Sequence, residues 1–209
     1  MNKTKATDKK NCYHHGNLRD ALIIAAAELI EENGSLDFAM IDAARRAGVS
    51  SAAPYRHFKD RDELLRAVSQ VAFMALSEAT RIAAQEHSLG SAERIIALGR
   101  GYICFMTSHP HFYDLMWGKT GVPTMDSQDD ELQTSGFYVL SEAVLAWCQE
   151  TGVECQDPID LAIKLWSMAH GLGGLAMNGH LEIFQSAADA NLLIESSTHT
   201  FLDGLQRKN

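Results

Sequence analysis

Ala43-Ala44-Arg45-Arg46-Ala47-Gly48-Val49-Ser50-Ser51-Ala52-Ala53-Pro54-Tyr55-Arg56-His57-Phe58 reads as two short helices joined by a tight corner. The leading helix spans about Ala39 to Ala47 and closes at Gly48, a residue that accepts the positive backbone angle of a sharp turn. Val49 fills the space between the helices. A second helix is predicted from Ser50, its cap, to about Phe58. Pro54 falls near the end of the first turn of that helix, where little internal hydrogen bonding is lost. On a helical wheel Pro54 and Phe58 share one side and should pack inward. Arg56 and Ala52 lie opposite, flanked by Ala53 and His57 on one edge and by Ser51 and Tyr55 on the other. A small, polar, basic and aromatic outer face suits a DNA major groove, which is only ~12 Å wide. Arginine can bridge guanine acceptors there, while serine and tyrosine hydroxyls meet phosphates. A plain helical hairpin with no nucleic-acid role fits the same pattern.

Charge is distributed to match. The chain has 209 residues and a net charge of −9. Residues 1–66 hold 11 basic and 10 acidic side chains, and residues 67–209 hold 7 and 17, so the two parts carry +1 and −10. The first third can approach a polyanion that would repel the rest, which points to two jobs on one chain. Apolar residues at 46% and charged residues at 22% are ordinary for a globular protein. The start, MNKTKATDKK, is basic with no apolar segment behind it, so a secretory leader is not expected. No apolar run reaches the ~18–20 residues of a membrane span. The expected location is the cytoplasm, with Cys12, Cys104, Cys148 and Cys155 as reduced thiols.

Outward from the hairpin the periodicity is helical throughout. Residues 1–12 form a basic arm carrying Lys3, Lys5, Lys9 and Lys10. Leu18, Leu22, Ala25, Ala26, Leu29 and Ile30 mark a helix stopped at Asn33-Gly34. Asp60, with Glu63 three residues on, caps a long helix expected to reach about Glu86. Ser91 opens another to about Ser108, and a short aromatic helix follows His109-Pro110 and ends at Trp117. Residues 118–130 read as loop, and 131–150 as helix. Asp157-Pro158 starts a helix to about Asn178-Gly179, and Ala187 to Arg207 forms the last. The prediction is all-α, about nine helices and no sheet.

With these residues in view, the chain resembles TetR-family transcriptional regulators. Ala44-x-x-Ala47-Gly48-Val49-Ser50, Tyr55-x-His57-Phe58 and Asp62-Glu63-Leu64-Leu65 fall in that family's order and spacing. Tyr13-His14-His15-Gly16-Asn17-Leu18-Arg19 and Ala53-Pro54-Tyr55-Arg56-His57-Phe58 resemble one branch, whose C-terminal domain carries a Trp-x-x-x-His-Gly signature. Trp166-Ser167-Met168-Ala169-His170-Gly171 fits it. The resemblance implies a helix-turn-helix domain over 13–77 and a helical effector-binding and dimerisation domain over 78–209. It implies a homodimeric, ligand-responsive regulator on a palindromic operator, most simply a repressor. An activator and an effector-independent DNA-binding dimer remain open. DNA contacts carry over to Arg45, Ser50, Ser51, Ala52, Tyr55, Arg56 and His57, and phosphate contacts to Lys59 and Arg61. Two departures stand out. Ala39 replaces the usual Ser or Thr at the start of the second helix, and Ile41 replaces a polar group.

Two helices near the end supply apolar surface for a dimer. Leu165, Leu172, Gly173, Leu193 and Phe201 are the interface candidates, with Gly171 and Gly174 allowing close approach. The middle of the chain is rich in aromatic and methionine side chains, which build either core or an adaptable pocket. Phe105, Phe112, Trp117, Phe137, Trp166 and His170 are the pocket candidates. His109, His111 and Asp114, or Cys12 with His14 and His15, lack the separated pairs of a strong metal site. With no phosphate cradle, nucleophile elbow or paired catalytic carboxylates, neither enzyme activity nor a cofactor is expected. A helical enzyme or metal-dependent protein that happens to carry such a hairpin is the rival class.

Overall fold

The computed structural model describes residues 18–117 and 136–207. The basic arm, Cys12, the 13–17 segment, the 118–130 loop and the start of the helix expected at 131 lie outside the described residues. Among the described residues the secondary structure is nine α-helices and one 3₁₀ turn, with no strand. The order is α1 (Leu18–Asn33), α2 (Met40–Arg46), the 3₁₀ turn (Pro54–Arg56), α3 (Arg61–Ala84), α4 (Ala92–Ser108), α5 (Pro110–Trp117), α6 (Gly136–Thr151), α7 (Pro158–Met177), α8 (His180–Phe184) and α9 (Ala190–Gln206).

Most helix starts follow the sequence's capping residues. Asp60 accepts the Glu63 N–H at 2.9 Å, and Glu63 reaches back to the Lys59 N–H. Ser91 accepts from the Arg94 N–H, Asp157 from Ile159 and Asp189 from Asn191. These bonds satisfy donors that have no partner inside the first turn. The five-residue α8 was not anticipated. It follows Gly179 at φ +65° and delays α9 to Ala190.

Three apolar clusters hold the helices together. The first joins α1, α2, the 3₁₀ turn and the start of α3 through Leu22, Ile30, Phe38, Phe58, Leu64 and Leu65. The second joins α4, α6, α7 and α9 around Trp147, Val144, Leu165 and Leu202. The third lies along α3, α4, α5 and α7 around Leu76, Ile103, Met106 and Met116. The 24 residues of α3 serve all three clusters in succession: Leu64, Leu65 and Val68 belong to the first, Ala72 and Leu76 to the third, and Ala84 to the second. At 1.5 Å per residue that helix spans roughly 36 Å. It is packed against α4 closely enough that a Cβ on Gly101 would meet Ala83 Cβ at 2.9 Å. Helix α5 makes a second link, because its Leu115 is buried in the first cluster and its Met116 in the third.

Candidate DNA-contacting face and aromatic cluster

The hairpin turns at Gly48 with φ +72°, as the sequence reading requires. The segment beyond it is not the α-helix expected over 50–58. Residues 54–56 form a single 3₁₀ turn, with three-residue bonds from Ala53 N–H to Ser50 O at 2.9 Å, Arg56 N–H to Ala53 O at 3.2 Å and His57 N–H to Pro54 O at 2.9 Å; a four-residue bond returns only at its end, from Phe58 N–H to Pro54 O at 3.0 Å. The cause is Pro54. It has no N–H to give to the Ser50 carbonyl four residues back, so the coil tightens instead of propagating as α. Ser50 serves the turn with its carbonyl, accepting from Ala53.

The predicted division of faces survives this change. Pro54 and Phe58 are buried, whereas Ser50, Ser51, Ala52, Tyr55, Arg56, His57 and Lys59 are exposed. Tyr55 is 60% exposed, an unusual place for so much aromatic surface. Phe58, at 2%, anchors the turn into the first cluster, and the Arg19 guanidinium lies over its ring at 5.4 Å. Arg19 thus brings another cation beside the turn, which sequence spacing alone did not reveal.

The other arginines of this region differ sharply. Arg46 is held against α1 by Glu28 and Glu32, and its guanidinium keeps the Glu32 carboxyl below the usual carboxylate range. Arg45 points outward, 74% exposed, with a single 3.3 Å contact to Asp42. Arg61 is drawn back onto Asp37 at 3.3 Å and over the Phe38 ring at 5.9 Å. A phosphate contact from Arg61 would therefore have to displace an ion pair, unlike one from Lys59. At the start of α2, Ala39 takes the extended cap conformation without a side-chain acceptor, and the Asp42 carboxylate accepts the Ala39 N–H at 3.1 Å. Ile41 is 48% exposed beside it.

A second constellation lies in the third cluster. The His170 ring joins two tyrosines: its Nδ1 is 2.7 Å from the Tyr102 hydroxyl and its Nε2 3.1 Å from that of Tyr113. Neutral imidazole has one donor and one acceptor nitrogen, so it can satisfy both hydroxyls at once. Burial lowers the His170 pKa, and burial likewise pushes the Tyr102 hydroxyl above its ordinary value. Trp117 and Trp166 flank the imidazole with ring centroids at 5.3 and 5.4 Å. Phe137 meets Trp166 at 6.2 Å, and Phe73 meets Trp117 edge-on at 5.2 Å. Among the described residues no acceptor meets the buried Trp117 Nε1–H in full hydrogen-bonding geometry, although the indole bears on the Tyr102 hydroxyl.

Four pocket candidates, Trp117, Phe137, Trp166 and His170, thus come together. Phe105 and Phe112 instead flank His109, at 4.9 and 5.9 Å, and His109 Nδ1 faces Glu31 of α1 at 3.3 Å. Tyr102, Tyr113 and Phe73 complete the cluster; the two tyrosines belong to the aromatic-rich middle segment but are not among the six pocket candidates. Two open clefts, of about 420 and 390 Å³, are lined by other residues.

The dimer candidates also divide. Leu165 is 4% exposed within the second cluster, and Gly173 is buried with its Cα side toward Met106, so both face the protomer's own interior. They lie on the α7 face shared with Ala162 and Ala169, which packs inward. Leu172, Leu193 and Phe201 are half-buried. The outward face of α7 instead carries Ile159, Ile163, Gly171 and Leu175, and α9 adds Leu192 at 62% exposure. A Cβ on Gly171 would meet no atom within 4 Å.

Comparison with known proteins agrees with this architecture. Residues 22–68 match the bacterial regulatory proteins, tetR family, and residues 95–201 match the tetracyclin repressor-like C-terminal domain. No curated protein matches the chain. Among solved structures, a protein with unknown function from Rhodococcus sp. RHA1 is 28% identical at a TM-score of 0.77, covering 94% of this chain and 100% of that one. PfmR, a TetR family transcriptional regulator from Thermus thermophilus, shares the fold at 20% identity and a TM-score of 0.57, over 88% of this chain and 98% of its own. BioQ of Mycobacterium smegmatis does so at 20% and 0.59, over 91% and 99%.

Proposed function

The chain belongs to the TetR family of bacterial regulatory proteins, and on that premise we propose that it is a ligand-responsive repressor binding a palindromic operator as a homodimer. The observation that carries this reading is the exposed Ser51–His57 surface held up by buried Pro54 and Phe58. Tyr55, Arg56 and His57 enter the major groove, Arg45 and Ser50 flank it, Ala52 lets the backbone approach, and Lys59 holds a phosphate. Arg61 joins only if its pair with Asp37 opens. Residues 13–77 form the DNA-binding domain, behind a basic arm over 1–12, and residues 78–209 the regulatory one.

Two such heads must stand one helical turn apart or a multiple of it, roughly 34–36 Å. We assign the interface to the outward face of α7 and to α9, with Ile159, Ile163, Gly171, Leu175 and Leu192 at its centre and Leu172, Leu193 and Phe201 at its edge. The effector site is the aromatic cluster around His170, in the branch with the Trp-x-x-x-His-Gly signature. A ligand wedged among Trp117, Trp166 and Tyr113 displaces α5. Because α5 is packed into both the head and the body, that shift changes the spacing of the heads to the extent that the ligand prefers one arrangement.

Selection of bound sequences from a random duplex pool tests the reading. It should return an inverted repeat, and affinity for the selected site should fall steeply with salt, by about 0.9 in log–log slope per phosphate neutralised. A selected site without two-fold symmetry, or affinity indifferent to salt, overturns it.

A further inference from the structure

The ring that anchors the exposed turn carries a cation from a different helix. Arg19 stands in the first turn of α1, and its guanidinium carbon lies 5.4 Å from the centre of the Phe58 ring. Arg19 is itself exposed, while the ring beneath it is almost inaccessible. The ring belongs to the residue between exposed His57 and exposed Lys59. A side chain from α1 is thereby brought to the end of the turn, beside the cations that the sequence places there.

The arginines of the head divide by what holds them. Arg45, Arg46 and Arg61 are each paired with carboxylates, Arg45 with Asp42, Arg46 with Glu28 and Glu32, and Arg61 with Asp37. Among the described residues no carboxylate pairs with Arg19; its recorded contact is the Phe58 ring. The difference is chemical. An ion pair occupies N–H donors and offsets the charge. Contact with an aromatic face does neither, so the guanidinium keeps its five in-plane donors and its full positive charge. Helix stability does not account for the residue, because a cation in the first turn faces the positive end of the α1 dipole.

We propose that Arg19 is a phosphate-binding residue of the DNA interface, gripping the duplex backbone with its free N–H donors while the Phe58 ring fixes its position. The proposal rests on the reading of the Ser51–His57 surface as the DNA-contacting face, and it adds a contact from α1 that this surface does not contain. Phosphate oxygens recur at every nucleotide, so the contact is blind to sequence and shared by all duplexes. The guanidinium can meet two phosphate oxygens at once, which a lysine at the same place cannot do in that geometry. Phe58 then seats two phosphate contacts, Lys59 through the chain and Arg19 through the ring. Gripping the backbone and holding the turn in place become one event.

The test measures binding of full-length wild-type and variant proteins, by fluorescence anisotropy, to the selected duplex and to an unrelated one over a range of KCl concentrations. Arg19→Ala should flatten the log–log salt slope by about 1.8 for a dimer, or about 0.9 per head, and weaken binding roughly sixtyfold at about 0.1 M salt, equally on both duplexes. Arg19→Met keeps the long stem over the ring without the charge. It should flatten the slope equally, which keeps the test decisive if thermal melting shows that the alanine variant does not fold. Arg19→Lys should keep the slope and lose part of the affinity. Arg81→Ala removes the same charge roughly 30 Å along α3 from Arg61, at 1.5 Å per residue. That lies beyond the screening length of ~10 Å, so the wild-type slope should persist. An unchanged slope in the neutral Arg19 variants overturns the proposal, and lost affinity without a change of slope would make Arg19 only a prop for the turn. A loss confined to the selected duplex would make it a base-reading residue and overturns it too. A wild-type protein that binds no duplex brings down the DNA-contacting face and this contact with it, whereas a steep wild-type slope that neutral variants retain removes Arg19 alone.

Discussion

The exposed turn at 54–57 and the aromatic cluster around His170 are built in opposite ways. The turn takes its chemistry from adjacent residues: buried Pro54 and Phe58 alternate with exposed Tyr55, Arg56 and His57 over one short stretch. The cluster gathers Phe73 from α3, Tyr102 from α4, Tyr113 and Trp117 from α5, and Trp166 and His170 from α7. One is wet and cationic, with its anchors beneath it. The other is half-buried and uncharged, with both tyrosine hydroxyls tied to the His170 ring. A surface for a polyanion can be written locally because each side chain acts on an external partner. An enclosed site needs walls from several helices, so its composition is spread along the chain.

Phe58→Ala should have the largest effect. Truncating a buried phenylalanine typically costs about 3–5 kcal/mol, and Phe58 is nearly inaccessible in the cluster that holds the head together. Denaturant unfolding should show a lower midpoint, with loss of DNA binding following from loss of the turn. If stability drops by less than ~1 kcal/mol, the turn does not depend on its anchor and the contrast with the enclosed cluster fails. Arg56→Ala should do the reverse, changing stability by no more than ~0.5 kcal/mol while removing roughly 1–3 kcal/mol of base discrimination. Competition binding between the selected site and single-base variants reads this directly. Uniform weakening on all sequences would make Arg56 a phosphate contact.

The same contrast sets what was legible in the sequence. Gly48, the Asp60 and Asp157 caps, and the inward side of Pro54 and Phe58 are local features, and the structure shows each of them. The α-helix expected over 50–58 was read from periodicity, which does not separate α from 3₁₀ winding in so short a stretch. The missing Pro54 N–H decides between them. Apolar recurrence points Leu165, and the close approach a glycine allows points Gly173, to a dimer face, whereas the side of α7 that meets α4 is fixed only by tertiary packing. Tyr102 and Tyr113 escaped as pocket residues for a similar reason. No spacing within α4 or α5 indicates that both hydroxyls will meet one imidazole from α7.

His170→Gln tests the enclosed side. At pH 8 it should cost roughly 0.5–1.5 kcal/mol, as the two tyrosine hydrogen bonds are lost or remade in poorer geometry. Its clearer mark is on pH dependence. Burial holds the folded His170 pKa below the ordinary imidazole value of about 6.5. As pH falls, the unfolded chain therefore binds the proton first. The contribution is fully present above the unfolded value and is lost as pH drops through the folded one. Protonation would also turn both ring nitrogens into donors. The wild-type protein should lose more stability between pH 7 and pH 5 than His170→Gln. Parallel curves would mean that His170 stays as solvated folded as unfolded, and the cluster could not then be treated as a closed neutral site.

Ala39→Ser should have the smallest effect, and it returns to the head. Ala39 holds the extended conformation of a helix cap, and its position is exposed, so a serine hydroxyl fits without displacing anything in the core. Placing serine at such a position gains about 0.5–1 kcal/mol where an N–H in the first turn has only water as partner. Here the Asp42 N–H already bonds the Ala39 carbonyl at 2.9 Å, and the Asp42 carboxylate already accepts the Ala39 N–H. The gain therefore belongs at the lower end of that range, and it should grow when Asp42 is changed to Ala in the same chain. Denaturation of the four variants in this cycle measures the coupling. A larger gain beside Asp42→Ala means that the acidic side chain has been substituting for the absent cap. Equal gains in both backgrounds would mean that serine and Asp42 act on separate donors. The pH slope assigned to His170 should be the same in all four, because the cap and the cluster share no side chain; a changed slope would mean that α3 or α5 carries stability from one region to the other.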